Sequence, residues 1–177
     1  MDRTLAEGQY VLVDKISPRF DSYSRGDIVV LEPILRTGSC SAAGERVEVE
    51  DNAPFIKRVI GEPGDLVELR GDGVYVNGAE LDEPYVLGET SGSGDATSWR
   101  VPDDRVFVMG DNREQSEDSR AFGPMCLGDM VGRAWLRYWP LNTIGILQTP
   151  TYPNVPRAAA GRSQSVGPVT QRSMSRV

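Results

Sequence analysis

A mostly β chain, built of twisted antiparallel sheets with irregular loops and little helix, is what this sequence predicts. Three observations carry that expectation. Apolar runs of strand length recur from one end to the other, residues that favour turns separate them, and no long stretch has the 3.6-residue apolar period of an amphipathic helix. The first run is Tyr10-Val-Leu-Val-Asp14, and a turn at Arg25-Gly26 leads into Asp27-Ile-Val-Val-Leu31. Phe55 to Ile60 and Asp65 to Leu69 read as a pair of strands broken by Gly61-Glu-Pro-Gly64, whose Gly and Pro residues punctuate a turn. Val74-Tyr-Val76 and Ala79-Glu-Leu81 flank Asn77-Gly78, a dipeptide that supplies the positive φ angles of a type I′ hairpin turn. Arg105 to Met109 and Met130 to Trp139 read as later strands. Residues 37–45 and 88–98 are small, polar or rich in Gly and Ser, and read as surface insertions. From Gln148 to Val177 the chain carries Pro, Ser and Arg with little apolar content, which predicts a disordered basic tail after a domain of residues 1–147.

At 177 residues the chain is one domain, or two small lobes on one core, large enough to be stable without staples. Its formal charge of −7 is uneven. Residues 1–149 hold 15 basic and 26 acidic side chains, and residues 150–177 hold 4 arginines and no acid. An acidic body argues against nucleic-acid partners. Two cysteines, Cys40 and Cys126, and no histidine fit neither a disulfide framework nor a metal site, whether the two cysteines meet is left open by the sequence, and no cofactor is implied. No run of about 18 apolar residues occurs that could span a membrane. Met1-Asp-Arg-Thr-Leu5 leads straight into a strand-like segment, an entry abrupt enough to predict that something upstream is absent.

Chemistry concentrates in two segments. Only Lys15 and Lys57 are lysines, against 17 arginines, and Lys57 sits among Phe55, Ile56, Val59 and Ile60. A desolvated lysine can lose its proton and an arginine cannot, so in a chain without histidine Lys57 is the best candidate for a general base. Read alone, the same window fits a surface lysine on one strand face equally well. The second segment, Met109-Gly-Asp-Asn-Arg-Glu-Gln-Ser-Glu-Asp-Ser-Arg120, follows an apolar strand and packs short polar and charged side chains into one loop. Such a loop can satisfy its own hydrogen bonds, or can be a solvated acidic turn. Asp118 and Arg120, two apart, share a side in extended backbone and can pair.

Together the segments resemble the type I signal peptidases, membrane-bound serine endopeptidases that remove signal peptides from exported proteins. Four boxes match in order over roughly residues 1–147: Met1 to Lys15, Arg25-Gly-Asp-Ile-Val-Val30, Lys57-Arg-Val-Ile-Gly-Glu-Pro-Gly-Asp65, and Gly110-Asp-Asn-Arg-x-x-Ser-x-Asp-Ser-Arg120. The resemblance implies a twisted antiparallel β fold shared with LexA-type self-cleaving repressors. Those repressors would need a DNA-binding helix pair and a scissile bond upstream, and neither is present. It also implies roles. Lys57 is the general base, and Ser116 holds its amine in line. Asp118 pairs with Arg120, and Asp111 with Arg58, behind the site. Phe55, Ile56 and Met1 contact the substrate, whose small −1 and −3 side chains fill shallow pockets. The partners implied are preprotein signal peptides and the membrane, with the catalytic domain on the extracytoplasmic side.

In the family pattern the attacking serine immediately precedes the position of Met1, and the membrane anchor lies further upstream. The resemblance therefore predicts that the sequence is truncated and inactive as it stands, or else that it is an inactive relative that only binds extended peptides. Arg3 stands where the family has Pro, which loosens a turn without touching the chemistry. Trp135, Tyr138, Trp139 and Leu141 read as a core strand and turn, with membrane contact as the alternative.

Overall fold

The computed structural model describes residues 4–6, 8–19, 21–32, 34–37, 40, 45–48, 54–90 and 97–158. The strands are β1 (Tyr10–Asp14), β2 (Ile28–Leu31), β3 (Ile34–Thr37), β4 (Glu45–Glu48), β5 (Phe55–Gly61), β6 (Leu66–Arg70), β7 (Gly73–Val76), β8 (Ala79–Glu80), β9 (Ser98–Arg100) and β10 (Arg105–Met109). A single turn of helix, α1 (Ser119–Phe122), is followed by β11 (Met125–Cys126), β12 (Met130–Trp139) and β13 (Gly145–Ile146). A seven-stranded sheet runs β1-β12-β2-β5-β10-β11 with β13 on β12; β8-β7-β6-β9 form a second sheet, and β3-β4 a separate hairpin. The strand pairings are antiparallel, as the predicted fold class requires.

Period-two burial explains why β2 and β5 sit at the centre. All four residues of β2 are buried. Val29 and Leu31 pack with Val59, Val106 and Val108 on one face, while Ile28 and Val30 meet Leu5, Ala134 and Leu147 on the other. A third cluster joins Ile60, Phe107 and Met109 to Val67, Val74 and Val76 of the smaller sheet. The site strand β5 is thus clamped on both faces.

β5 and β6 are strands, but they do not pair with each other. β5 pairs with β2 and β10, and β6 with β7 and β9. The Gly61–Gly64 turn instead passes the chain from one sheet to the other, held by Arg25. Its Nε donates to the Ile60 carbonyl (2.9 Å), and its Nη2 meets Asp65 Oδ2 at 2.6 Å, both groups buried. The Asn77-Gly78 turn has φ angles of 52° and 83°, as type I′ geometry demands.

One question that the sequence leaves open is answered, and two expectations are corrected. Cys40 and Cys126 form a disulfide across 86 residues. Sequence spacing could not reveal it, because only the sheet topology brings the β3–β4 hairpin back to β11. The chain from Gln148 to Ala158 is not a loose tail: Val155 is buried against the smaller sheet, with Tyr152 packed beside it. Tyr152 and Tyr85 share a hydroxyl hydrogen bond of 2.7 Å, and Asn77 Nδ2 donates to the Pro156 carbonyl at 2.8 Å. The rest of the predicted tail, 159–177, lies outside the described residues. Finally, Trp135, Tyr138, Trp139 and Leu141 are not core. Their strand forms as expected, yet they remain 44%, 39%, 48% and 69% exposed, because nothing in the described structure packs over that end of the sheet.

Of the insertions, Thr37 pairs with Glu45 in the β3–β4 hairpin, while 38–39 and 41–44 of the first and 91–96 of the second lie outside the described residues. Among the described residues no helix is long and apolar enough to cross a membrane, and no cluster of metal-binding side chains occurs.

Candidate active site

Alternation along β5 sends Lys57 and Arg58 to opposite faces. In the register with β2, Lys57 lies opposite Val29 and Arg58 opposite Ile28. Lys57 therefore reaches into a cleft whose walls include Leu31, Phe55, Val108, Phe122 and Met125. Its Nζ donates to Ser116 Oγ at 2.7 Å and lies 5.7 Å from the centre of the Phe55 ring. Among the described residues no carboxylate forms an ion pair with it. Burial holds its pKa below the ordinary lysine value. The Asp118 and Glu117 carboxylates oppose that shift and the Arg120 guanidinium assists it.

Ser116 is placed by its loop. Asp118 caps α1, accepting from the Arg120 amide (3.1 Å), and its carboxylate takes both Arg120 Nε (2.9 Å) and Nη2 (3.0 Å). The expected Asp118–Arg120 pair thus forms around a helix cap and not along extended backbone. Arg120 Nη2 also donates to the carbonyls of Arg113 (2.6 Å) and Ser116 (3.1 Å), which fixes the backbone that carries the serine. Asp118 Oδ2 accepts from the Gly110 amide at 3.0 Å. Gly110 itself must lack a side chain, since a Cβ there would lie 2.6 Å from Ser116 Cβ.

On the other face, Arg58 is 1% exposed and donates to both oxygens of Asp111, Nε to Oδ1 at 2.9 Å and Nη2 to Oδ2 at 2.8 Å. Its Nη1 donates to the Gly26 carbonyl (2.9 Å), and its guanidinium lies 3.9 Å from the centre of the Tyr85 ring. Thr4 Oγ1 donates to Asp111 Oδ2 at 2.5 Å, so the N-terminal segment is tied to the back of the lysine strand.

The structure therefore brings together Lys57 with Ser116, Asp118 with Arg120, and Arg58 with Asp111. Phe55 shares the Lys57 cleft. Ile56 points the other way, packed against the cluster of Leu5, Ile28 and Val30. Met1 lies outside the described residues. Arg113 was quoted within its box but given no role. It is fully buried, donating to the Gly110 carbonyl (3.1 Å), Thr90 Oγ1 (2.9 Å) and Glu83 Oε1 (2.6 Å). A lone arginine among the acids of residues 111–118 was the available signal. Tyr85 and Glu83 carried none.

A family model described as signal peptidase, peptidase S26, matches residues 1–139. Signal peptidase I of Leptolyngbya laminosa is 37% identical over 150 residues, covering 83% of this chain and 68% of that protein. Probable signal peptidase I-2 of Synechocystis is 37% identical over 147 residues, covering 83% and 62% respectively. Signal peptidase IB of Staphylococcus aureus is 34% identical over 158 residues, covering 80% and 74%. A crystal structure of a signal peptidase I from Enterococcus faecalis V583 shares 26% identity, covers 64% of this chain and 97% of that one, and superposes with a TM-score of 0.47. The matched region takes in both Lys57 and Ser116, and the chain belongs to the signal peptidase family, peptidase S26.

Proposed function

We propose that this chain carries the base half of a Ser/Lys dyad with which a signal peptidase I cuts N-terminal signal peptides from exported preproteins. The observation that supports it most directly is the Lys57 amine itself. It is largely desolvated, aimed by a neutral hydroxyl at 2.7 Å, and has no carboxylate ion partner among the described residues. A lysine so placed holds a substantial neutral fraction closer to physiological pH than a surface lysine does. Neutral Lys57 takes the proton of a serine hydroxyl, and the alkoxide attacks the scissile carbonyl. The resulting acyl-enzyme is released by a water activated by the same amine. Ser116 and the Arg120–Asp118 brace act as positioning groups.

The substrate lies extended along β5. Pairing with β10 stops at Arg58, opposite Met109, so Phe55 to Lys57 keep that edge for a peptide backbone among the described residues. The tight cleft beside Phe55 accepts a small side chain and rejects a large one. In the family pattern the serine stands one position ahead of Met1. The test is therefore a chain made with Ser joined directly to Met1 behind a family anchor segment, assayed on a preprotein with Ala at −1 and −3. Cleavage is expected in that chain and not when Lys57→Arg is added, because guanidinium cannot act as the base. Undiminished cleavage by the arginine variant would remove Lys57 from the mechanism.

The disulfide supports placing this domain in an oxidising, extracytoplasmic compartment. The exposed apolar side chains at the β1–β12–β13 end of the sheet support contact with a membrane surface. They include Tyr10 at 57%, Trp139 at 48%, Leu141 at 69% and Ile146 at 68% exposed.

A further inference from the structure

We propose that Glu117 is a specificity-determining residue, whose carboxylate at the rim of the Lys57 cleft selects preproteins with a cationic side chain just beyond the cut. This preference rests on the peptidase reading and names the substrates that the same site favours.

The cleft is apolar on most sides, with Leu31, Phe55, Val108, Phe122 and Met125 supplied by β2, β5, β10, α1 and β11. Its charged members are Lys57, Asp118 and Glu117. Asp118 is buried and already taken, by Arg120 at 2.9 and 3.0 Å and by the Gly110 amide at 3.0 Å. Glu117 follows Ser116, whose hydroxyl holds the Lys57 amine, and its own side chain is exposed. It forms no ion pair or hydrogen bond among the described residues. Among those residues it is therefore the cleft-lining carboxylate left open to a cation from outside.

Such a carboxylate works against the chemistry unless a substrate offsets it. With Asp118 it favours the protonated amine, which cannot act as a base, whereas burial and the Arg120 guanidinium favour the neutral one. A substrate cation docked on Glu117 places a positive charge beside Lys57 and assists the loss of its proton. Binding of that cation and deprotonation of the lysine then favour each other, as linked equilibria must. A peptide laid along β5 alternates its side chains, so with −1 in the cleft the +2 side chain faces the same way. A lysine or arginine at +2 lays its apolar stem on Phe122, which is 42% exposed, and keeps its head at the rim.

Two measurements test this. In the serine-restored enzyme, cleavage is followed on preproteins with Ala at −1 and −3 and Lys, Gln or Glu at +2. Lysine is expected to be preferred over glutamine by about twofold to fivefold in kcat/KM, the range of an exposed charge pair. Glu117→Gln should abolish that preference, and Glu117→Lys should turn it towards glutamate. On the glutamine substrate, Glu117→Gln should also move the acid limb of the pH profile to lower pH, since Lys57 then loses its proton more readily. A preference for lysine that survived Glu117→Gln, or no preference at all, would overturn the assignment. So would an equal loss of cleavage on all three substrates, the mark of a purely structural residue. Lys57→Arg, run alongside, separates the two ideas: if it abolishes cleavage, the peptidase reading stands whatever Glu117 does. The second measurement needs no turnover. The chain has two lysines, so isotope-labelled lysine gives two side-chain NMR signals, assigned with Lys57→Met. The Lys57 titration midpoint is expected to fall in Glu117→Gln, and an unmoved midpoint would show that the carboxylate does not reach the cleft and would sink the idea.

Discussion

Lys57 owes its character to one rotation along a strand. Shifted by a single position, it would point into the face where Asp111 pairs with Arg58, and a carboxylate within reach would keep it charged. On its actual face it meets Phe55 and Ser116. The lowered pKa has a consequence for stability. Between the depressed folded value and the ordinary lysine value, the unfolded chain binds more protons than the folded one, so stability rises with pH across that window. Replacing Lys57 by Met is therefore expected to stabilise the chain at neutral pH, with the gain shrinking as pH rises toward the ordinary lysine value. Urea denaturation of both proteins at several pH values checks the sign, and a gain that grew with pH would contradict it. Ser116→Ala removes the oxygen that aims the amine. In the serine-restored enzyme it is expected to lower kcat by about tenfold to a hundredfold with little change in KM. The lysine was legible in the sequence because lysine is so rare here. The side to which Ile56 points was legible too, since strand alternation turns it away from the Lys57 cleft that Phe55 lines.

At the scale of elements, the loop between β10 and α1 is a buried polar network in which each member constrains the next. Gly110 lets Ser116 come close, Arg120 grips the carbonyls of Arg113 and Ser116, and Arg113 reaches back to Glu83. Gly110→Ala is expected to cost about 1–3 kcal/mol of stability through overpacking, and to lower activity further by displacing Ser116. Equal stability in urea titrations would show that the serine yields without strain. Arg113→Met should cost about 3–5 kcal/mol, because the Glu83 carboxylate, 9% exposed, loses its buried cation. A loss under 1 kcal/mol would mean that the network relaxes around the gap. The sequence displayed the loop's composition but not its wiring. Thr90 and Glu83 lie more than 20 residues from Arg113 in sequence, and no spacing rule connects them.

For the whole molecule, the strands were legible because period-two burial and turn chemistry are local. Pairing was not: β5 and β6, adjacent in sequence, join different sheets, and two cysteines 86 residues apart meet. Exposure is likewise a property of the assembled fold. The aromatic run of β12 looks like core in sequence, yet Tyr10, Tyr138 and Trp139 line one open surface cleft at the end of the sheet. Leu141, Ile144 and Ile146 follow directly in the chain, 69%, 60% and 68% exposed. Tyr and Trp suit the headgroup region of a bilayer, where an apolar ring and a polar edge are both satisfied. The chain's three tryptophans make this measurable. Trp135 and Trp139 are 44% and 48% exposed, whereas Trp99 packs against Phe107 with ring centres 5.0 Å apart. Titration with phosphatidylcholine vesicles is expected to shift the fluorescence of the chain to shorter wavelength. The double variant Trp135→Phe, Trp139→Phe, which keeps Trp99, should show no such shift while still sedimenting with vesicles through its remaining apolar side chains. Adding Leu141→Asp and Ile146→Asp should abolish sedimentation and leave the melting temperature nearly unchanged, because neither residue contributes to the core. Sedimentation that survived those two charges would place the membrane contact elsewhere on the molecule.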